Sequence, residues 1–329
     1  MEIIGDTNAT LLDLTRIVEA EIMEADDPLY PKICSDVKSA DEAYVKIPIQ
    51  TKVAFPVLFD GEREPTSTEV AVVQEYVKAT YALTLDYNSD LMRESKAYTF
   101  EEKTQEGTIS AKIFPSYNLT VNVVEAGTTN LAFDGVAFYS STGHYWPGGP
   151  KTSGYLINNK VSATGQTVAA LQTDLNTAVS RMRTFVDNQN RLLNPRLRYG
   201  ADQLIIHCPV ALEVPFRQVL FNSLNPITAS VTTSGTNAVT GSGIKEIGLN
   251  GIATLVPDGY LDLTSTTAWY LHYVGAPQRP FVWAESYGLQ SKALGFGSEF
   301  ESNTNRVRIN LKHRWVQGYY RFDRSIRIG

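Results

Sequence analysis

The chain of 329 residues carries 35 acidic and 29 basic side chains, which gives a formal net charge of −6 at pH 7. Hydrophobic residues make up 43% of it, enough to build the packed core of a globular protein. The negative charge argues against a protein that wraps nucleic acid through a broad basic face, because such binding depends on neutralising phosphates. Contact with duplex DNA, if there is any, should therefore be local.

Cysteine usage and the N-terminal segment set further bounds. Cys34 and Cys208 lie far apart and form no Cys-x-x-Cys pair, so neither a disulfide framework nor a zinc knuckle is predicted. A reducing, cytosolic origin is the simpler interpretation. The N-terminal segment has early acidic residues and no long apolar run, and it is predicted to be neither a signal peptide nor a membrane span.

An amphipathic helix is predicted over residues 8 to 25, because apolar residues recur on one side of it. These residues are Leu11, Leu14, Ile17, Val18 and Ile22. The first thirty residues hold eight acids against Arg16 alone, whereas residues 306 to 329 hold seven bases against Asp323 alone. This asymmetry fits a head-to-tail contact between like subunits, or two solvated faces of opposite sign.

Residues 43 to 87 are predicted to form one long two-stranded excursion. "AYVKIPIQTKVAFPVLF" is rich in β-forming residues, "DGEREPTST" is a polar turn region, and "EVAVVQEYVKATYALTLDY" alternates between apolar and polar residues. The alternating apolar positions are Val73, Val77, Tyr81, Leu83 and Leu85. A hairpin of this length is marginal alone in water, so we expect it to lie across another surface, of its own chain or of a neighbour.

A long, interrupted helix is predicted over residues 97 to 126. Its apolar residues recur at helical spacing, at Ile109, Ile113, Tyr117, Val121 and Val124. Gly107, Pro115 and the β-branched residues of "LTVNVV" interrupt the pattern. A loop of residues 134 to 149, "DGVAFYSSTGHYWPGG", follows this helix.

The next part of the chain has an α/β pattern. A helix is predicted from about Thr167 to Asn190, followed by a short buried strand from Leu204 to Cys208 and a second helix in "VALEVPFRQVLFNSL". Residues 228 to 243 are rich in Ser, Thr and Gly and are predicted to be a loop. "AWYLHYV", "PFVWAESY" and "RVRINLKHRWVQGYYRF" are predicted strands.

The motifs predict no catalytic, cofactor or metal site. The four histidines, His144, His207, His272 and His313, show no paired spacing for zinc, and His207 and His272 lie in strands, where a hydrogen-bonded structural role is favoured. Neither Gly-x-Ser-x-Gly nor a phosphate-binding glycine loop occurs. Cys208 directly follows His207, and neighbouring strand residues point to opposite faces, so these two cannot act as nucleophile and base.

The loop after the long helix is the remaining candidate for chemistry. Ser140 and His144 could form a dyad, or Tyr139, Tyr145 and Trp146 could bind a sugar. The alternative is a glycine-flanked turn whose aromatic residues anchor it to the fold or to a partner, and this alternative is favoured because Tyr and Trp prefer half-buried contact sites.

The order of these parts resembles the major capsid protein of tailed bacteriophages, which has the Hong Kong 97 fold. The resemblance is closer to Mu-like major head subunits, the gpT-like group, in which a Gly-containing helix with a late Pro ends before an Asp-Gly, an aromatic residue and a His. The matching positions are Gly107, Pro115, Asp134, Gly135, Phe138 and His144. The passage "NPRLRYGADQLIIHCPVALEVPFRQVL" and the hairpin tip "DGER" are also similar to this family.

This resemblance implies an α+β fold of the Hong Kong 97 type in five parts. These are an N-terminal arm (1–42), an extended β-hairpin loop (43–90), a peripheral domain with a long spine helix (91–160), an axial domain (161–275) and closing strands of the peripheral domain (276–329). The extended loop would contact a neighbouring subunit through Phe55, Phe59, Asp60, Gly61, Arg63, Val73, Val77 and Tyr81. The peripheral-domain loop would hold Asp134, Gly135, Phe138 and His144 as structural or contact residues.

The implied function is that of a shell subunit and not of an enzyme. It would assemble with itself into hexamers and pentamers of an icosahedral head that encloses double-stranded DNA without sequence-specific binding. Scaffold, portal and decoration proteins would be separate chains, and no cofactor, metal or membrane is implied. Assembly would take place in the host cytoplasm, and the protein would reside in the virion.

Two other functions stay open at this point. A nanocompartment shell of the same fold would be made by the bacterium itself and would hold enzymes instead of DNA. A carbohydrate-binding or hydrolytic protein would use the loop of residues 134 to 149.

Overall fold

A computed structural model describes residues 3–23, 28–37, 43–50, 70–94, 98–148, 151–187, 189–221, 251–295 and 298–329. The chain divides into two compact units. The first unit comprises Met1–Pro48, Val73–Val124 and Phe281–Gly318, and the second comprises Ile49–Val72, Glu125–Pro280 and Tyr319–Gly329.

Helices and strands alternate irregularly along the described chain. The α-helices are α1 (Ile3–Met23), α2 (Tyr30–Ile33), α3 (Ser89–Glu94), α4 (Tyr98–Asn118), α5 (Val168–Thr184), α6 (Glu213–Phe221), α7 (Gly259–Asp262) and α8 (Glu299–Thr304). The strands are β1 (Cys34–Asp36), β2 (Tyr44–Gln50), β3 (Val70–Val77), β4 (Ala79–Asn88), β5 (Lys160–Val161), β6 (Leu204–Cys208), β7 (Thr254–Pro257), β8 (Trp269–Tyr273), β9 (Phe281–Leu294), β10 (Arg306–Tyr319) and β11 (Ser325–Ile328).

The first unit is built around a four-stranded sheet with the strand order β1-β9-β10-β4. Alternate residues of β10 are buried, as expected for a strand with one face on a core. Helix α1 covers this core with Leu14 and Val18, which are fully buried beside Val307 and Ile309. The predicted N-terminal amphipathic helix is therefore confirmed, although it begins at Ile3.

The long interrupted helix is also confirmed. A Cβ atom at Gly107 would lie 2.9 Å from both terminal methyl carbons of Leu85, so the glycine allows α4 to approach β4 closely. Pro115 lies inside α4 without an N–H to donate, and its carbonyl accepts a hydrogen bond from Gln317 Nε2 at 2.8 Å. The β-branched residues then continue as a π-helical turn, Leu119–Val124.

The predicted excursion of residues 43 to 87 is right for one part and wrong for another. Strands β2 and β3 form a separate two-stranded sheet, here called the β2–β3 ribbon. Strand β4 is not part of this ribbon. It pairs antiparallel with β10, from Ala79 opposite Trp315 to Asn88 opposite Arg306. The side-chain alternation changes phase near Lys78, since Val73, Glu75 and Val77 are exposed in β3, whereas the odd-numbered residues from Tyr81 to Tyr87 are the less exposed ones in β4.

The second unit contains a five-stranded mixed sheet with the strand order β5-β11-β8-β6-β7. Every residue of β6 and of β8 is buried, as expected for strands at the centre of a sheet covered on both faces. The buried strand predicted from Leu204 to Cys208 is confirmed, and α6 follows it after a 3-10 turn, Val210–Leu212.

Helix α5 ends earlier than predicted. It begins with the Thr167 side chain accepting the backbone N–H of Ala170, and it ends at Thr184 instead of Asn190. The reason is local side-chain chemistry, because the Asp187 carboxylate accepts the backbone N–H groups of Gln189 and Arg191 and folds the chain into a turn.

Two of the expected domain boundaries differ from the observed units. Residues 125 to 160, expected in the peripheral domain, cluster with the second unit. The closing strands also separate, because β10 belongs to the sheet of the first unit whereas β11 pairs with β8 and β5 in the second. The predicted loop of residues 228 to 243 lies outside the described residues.

Candidate functional site

The loop that follows α4 is organised around His144, which is fully buried. His144 Nδ1 lies 2.8 Å from Asp134 Oδ2, and His144 Nε2 lies 3.0 Å from the carbonyl oxygen of Phe138. Its ring is parallel to that of Phe322 at a centroid distance of 4.3 Å. Because a carbonyl oxygen only accepts hydrogen bonds, Nε2 must donate to it. These contacts hold the His144 side chain within the loop.

The structure brings the four family-like residues of this loop together. Asp134 and Phe138 both contact His144, and Gly135 takes a left-handed backbone conformation, with φ of 76°, in the turn between them. The Asp134 carboxylate also accepts the backbone N–H of Val136 at 3.2 Å. The four residues form a single hydrogen-bonded turn, which favours the structural interpretation.

No Ser140/His144 dyad is formed. The Ser140 hydroxyl is hydrogen-bonded to the Thr142 hydroxyl at 2.8 Å and accepts the backbone N–H of Gly143 at 3.0 Å. Both ring nitrogens of His144 are occupied by other groups. Gly143 has a φ of 79°, and a Cβ atom there would lie 2.5 Å from Leu156 Cδ1, so this backbone requires glycine.

The aromatic side chains of the loop face the protein interior and offer no exposed platform for a sugar. Tyr139 and Trp146 are buried, and Tyr145 is half-buried. The Tyr139 hydroxyl is hydrogen-bonded to Ser325 Oγ at 2.7 Å, and the Arg321 guanidinium lies 4.5 Å from the ring centroid of Trp146. The aromatic residues therefore anchor the loop to the C-terminal segment of the second unit.

Replacing Asp134 with Ala should lower the free energy of unfolding by about 1.5–3 kcal/mol, because the hydrogen bond between His144 and a charged group is lost. Ser140→Ala should cost less, about 1 kcal/mol, since only neutral hydrogen bonds are removed. Thermal unfolding of both variants checks this order. A larger loss for Ser140→Ala would contradict it.

A buried ion pair that sequence analysis missed fixes the C-terminal segment. Arg321 donates to both carboxylate oxygens of Asp323, at 2.7 and 2.8 Å, and to Gln278 Oε1 at 2.6 Å. Asn194 Nδ2 donates to the backbone carbonyl of Asp323 at 2.9 Å. Burial and the nearby charge of Arg321 lower the pKa of Arg324 to about 10. In the sequence, the only sign of this ion pair is the Arg-x-Asp spacing of Arg321 and Asp323, and that spacing does not show that the two side chains are buried.

Four of the seven bases of residues 306 to 329 form ion pairs with described carboxylates of their own unit. Arg308 donates to Asp86 at 2.5 and 2.9 Å, and Arg321 and Arg324 are buried around Asp323. These three bases are engaged within the chain, whereas the fourth, Arg306, and Lys312 of the same segment are exposed.

The expected structural roles of two histidines are confirmed. His207 Nε2 donates to Asp258 Oδ2 at 3.0 Å, and His272 Nδ1 is hydrogen-bonded to Ser325 Oγ at 2.9 Å. Burial raises the pKa of the neighbouring Cys208 thiol to about 12, with a further contribution from Glu213. A thiol with so high a pKa is not a nucleophile near neutral pH.

Acid should destabilise the second unit through His272. Burial, and then the neighbouring His207, lower the pKa of His272 well below its usual value of 6.5. Between these two pKa values the unfolded chain binds a proton that the folded chain does not, so stability is lost as the pH falls below about 6.5. We expect a slope of up to about 1.4 kcal/mol per pH unit.

Thermal unfolding at a series of pH values tests this expectation. The variant His272→Asn keeps a group able to bond Ser325 but cannot take up a proton, so its stability should depend less on pH in this range. An unchanged pH dependence in the variant would assign the effect to other groups.

The predicted contact residues of the extended loop lie in different environments, and some of them lie outside the described residues. Val73 and Val77 are 52% and 61% exposed on β3. Tyr81 packs inside the chain, because its ring stacks on Trp315 at a centroid distance of 4.4 Å in the sheet of the first unit. The others lie outside the described residues, namely Phe55, Phe59, Asp60, Gly61 and Arg63.

The described residues contain neither a metal-binding cluster nor a helix able to span a membrane. No set of three or more His, Cys, Asp or Glu side chains is arranged to hold a metal ion. Within the same ranges, no helix combines the length and apolar character needed to cross a bilayer.

Comparison with known proteins gives matches in structure alone. No family model matches the chain, and no curated protein matches its sequence. The mature capsid of bacteriophage PhiM1 aligns with a TM-score of 0.53 and 12% identity over 93% of this chain and 87% of that chain. The capsid of cyanophage P-SCSP1u aligns with a TM-score of 0.53 and 10% identity over 93% of this chain and 89% of that chain.

A third solved structure with this fold is the virus-like particle from Pyrococcus furiosus. It aligns with a TM-score of 0.50 and 6% identity over 96% of this chain and 98% of that chain. The chain therefore has the α+β fold of Hong Kong 97-type capsid proteins, as predicted. At identities this low, the likeness establishes the fold and nothing finer.

Proposed function

We propose that this protein is the major capsid protein of a tailed bacteriophage. It assembles into hexamers and pentamers of an icosahedral head that encloses double-stranded DNA. The observation that carries this proposal is the alignment with the PhiM1 mature capsid, which spans 93% of this chain and 87% of that chain. So nearly complete an overlap, in both directions, supports a subunit of the same architecture.

The internal geometry of the loop of residues 134 to 149 supports a structural role. Its histidine is held by Asp134 and by the carbonyl of Phe138, and its serine contacts neither ring nitrogen. The same Asp-Gly, aromatic and His positions support membership of the Mu-like group. The hydrolytic alternative would be supported if the protein had an activity that the double variant Ser140→Ala with His144→Ala loses while it still assembles.

The two compact units fit the family's division into a peripheral and an axial domain. The first unit, with α4 as the spine helix, corresponds to the peripheral domain, and the second unit corresponds to the axial domain. The β2–β3 ribbon is the extended loop, and it contacts a neighbouring subunit through Val73 and Val77. Obligate contacts of this kind bury about 2,000–5,000 Å².

The remaining partners follow from the same proposal. Scaffold, portal and decoration proteins are separate chains, assembly takes place in the host cytoplasm, and the mature protein resides in the virion. A bacterial nanocompartment shell is the second candidate, because the virus-like particle from Pyrococcus furiosus shares this fold with a TM-score of 0.50.

Electron microscopy and size-exclusion chromatography of the protein expressed alone, and then with the proteins encoded beside it, test this function. Closed shells, tubes or capsomer-sized rings are expected. Shells that hold a protein cargo and exclude DNA would favour the nanocompartment, and a monomer under every condition would overturn the shell function.

A further inference from the structure

A basic surface lies in the second unit where α5 meets the loop that follows it. Between residues 174 and 202 the chain carries five arginines and three acids, Asp174, Asp187 and Asp202, of which Asp174 is buried. One of these arginines, Arg191, is neutralised by Asp187, with Nη2 at 2.9 Å from Oδ2. The other four, together with Tyr199, are called the arginine patch: Arg181, Arg183, Arg196, Arg198 and Tyr199.

The loop that carries half of this patch is fixed to the end of α5. Asn194 Nδ2 donates to the carbonyl oxygen of Met182 at 3.2 Å, and the backbone N–H of Leu193 donates to Phe185 at 2.9 Å. Leu193 and Leu197 are buried beneath the loop. Arg196 and Arg198 are thereby held at the end of the helix that carries Arg181 and Arg183.

Contacts among side chains join the two halves of the patch. The Arg183 guanidinium lies 4.8 Å from the ring centroid of Tyr199, and the Tyr199 hydroxyl donates to Asn176 Oδ1 at 3.3 Å. A shallow groove along α5, lined by Asn176, Ser180 and Arg181 among others, continues the surface. The Asn176 amide group and the Ser180 hydroxyl add neutral hydrogen-bond donors along it.

The charge of the patch is uncompensated. Across the described ranges of the chain, none of its four arginines forms a salt bridge with a carboxylate, and Arg196 and Arg198 are exposed. Four arginines that pair with no carboxylate of the described residues, on a chain of net charge −6, form a local site for a polyanion. Guanidinium groups suit phosphates, which they bind with two parallel hydrogen bonds.

We propose that the arginine patch binds the phosphate backbone of duplex DNA, without reading the bases. This inference rests on the proposed function, because a shell that encloses DNA brings phosphates to its inner face. An acidic segment of a second copy is the less favoured ligand, since the acids of α1 are partly engaged within their own chain. Asp13 lies 3.4 Å from Arg16, and Glu21 accepts a hydrogen bond from Gln105 at 3.4 Å.

Fluorescence anisotropy of the full-length protein with a labelled duplex of about 30 base pairs tests the proposal at several salt concentrations. With four phosphates neutralised, the logarithm of the binding constant should fall against the logarithm of the salt concentration with a slope of about −3.6. The variant Arg196→Glu with Arg198→Glu should bind at least about tenfold more weakly and lower the slope by about 2. Two duplexes of different sequence should bind equally.

A matched control carries the same change of charge elsewhere. Lys103 and Lys292 are exposed in the first unit, and replacing both with Glu should leave binding to the duplex close to that of the unaltered protein. Arg196→Ala with Arg198→Ala guards against misfolding of the charge-reversed variant and should lower the slope similarly. If the control and the patch variants weakened binding equally, binding would depend on net charge alone and not on the arginine patch. That result would overturn the proposal.

Other outcomes separate this inference from the shell function. Tight binding by both patch variants overturns the inference. A synthetic peptide of residues 1–27 that binds in place of the duplex, with the same dependence on Arg196 and Arg198, overturns it in favour of a contact between subunits. Electron microscopy of the same samples reports shell formation independently, so shells without DNA binding leave the proposed function standing.

Discussion

Replacing Val73 and Val77 with lysine is expected to abolish shell assembly while leaving the subunit folded. Both side chains are more than half exposed, at 52% and 61%, so the substitutions remove little packing within the chain. A two-stranded ribbon is marginal alone in water, and Val73 and Val77, which flank the exposed Glu75 on β3, therefore need a neighbouring surface to cover them. Two ammonium groups buried in that contact would cost more than it provides, since Glu75 already lies 4.0 Å from Lys46.

A matched control comes from a second pair of exposed valines four residues apart. Val210 and Val214 are 48% and 64% exposed in the second unit, so lysines there change charge and exposure equally. Size-exclusion chromatography and electron microscopy measure assembly, and circular dichroism measures folding. The ribbon variant should remain a folded small species while the control assembles. Shells formed equally well by both variants would remove the ribbon from the proposed interface.

The second large effect is expected at Asp323. Asp323→Asn preserves the size of the side chain but removes its charge, and it leaves Arg321 and Arg324 buried without compensation. Breaking a buried pair from one side typically costs about 3–5 kcal/mol. For a unit of this size, that loss corresponds to a decrease in Tm of roughly 10 °C.

Two further variants identify the cause of that decrease. Asp202→Asn removes an exposed carboxylate of the same unit and should change the Tm little. The double variant Arg321→Met with Asp323→Leu leaves only Arg324 without its carboxylate, whereas Asp323→Asn leaves both arginines so, and the double variant should therefore lose less stability than Asp323→Asn. A double variant less stable than the single variant would show that packing, and not the buried charge, controls this segment.

Sequence patterns determined which segments form helices and strands. The stripe of apolar residues in α1, the interrupted pattern of α4 with Gly107 and Pro115, and the apolar run of β6 each specify local structure, because backbone geometry fixes the periodicity of side chains. The α+β fold class was implied by the resemblance of the order of these elements to Hong Kong 97-type capsid proteins, and not by periodicity. Sequence patterns also indicated that His207 and His272 are hydrogen-bonded within strands.

Tertiary structure alone decided which segments become neighbours. Alternation in β4 shows that one face is buried, but the partner strand, β10, lies more than two hundred residues away in the chain. The same limit applies to β11, which joins the second unit, and to His144, whose role depends on where Asp134 and Phe322 are placed. Pairing and burial are properties of the folded chain as a whole, and for that reason local pattern could not reveal them.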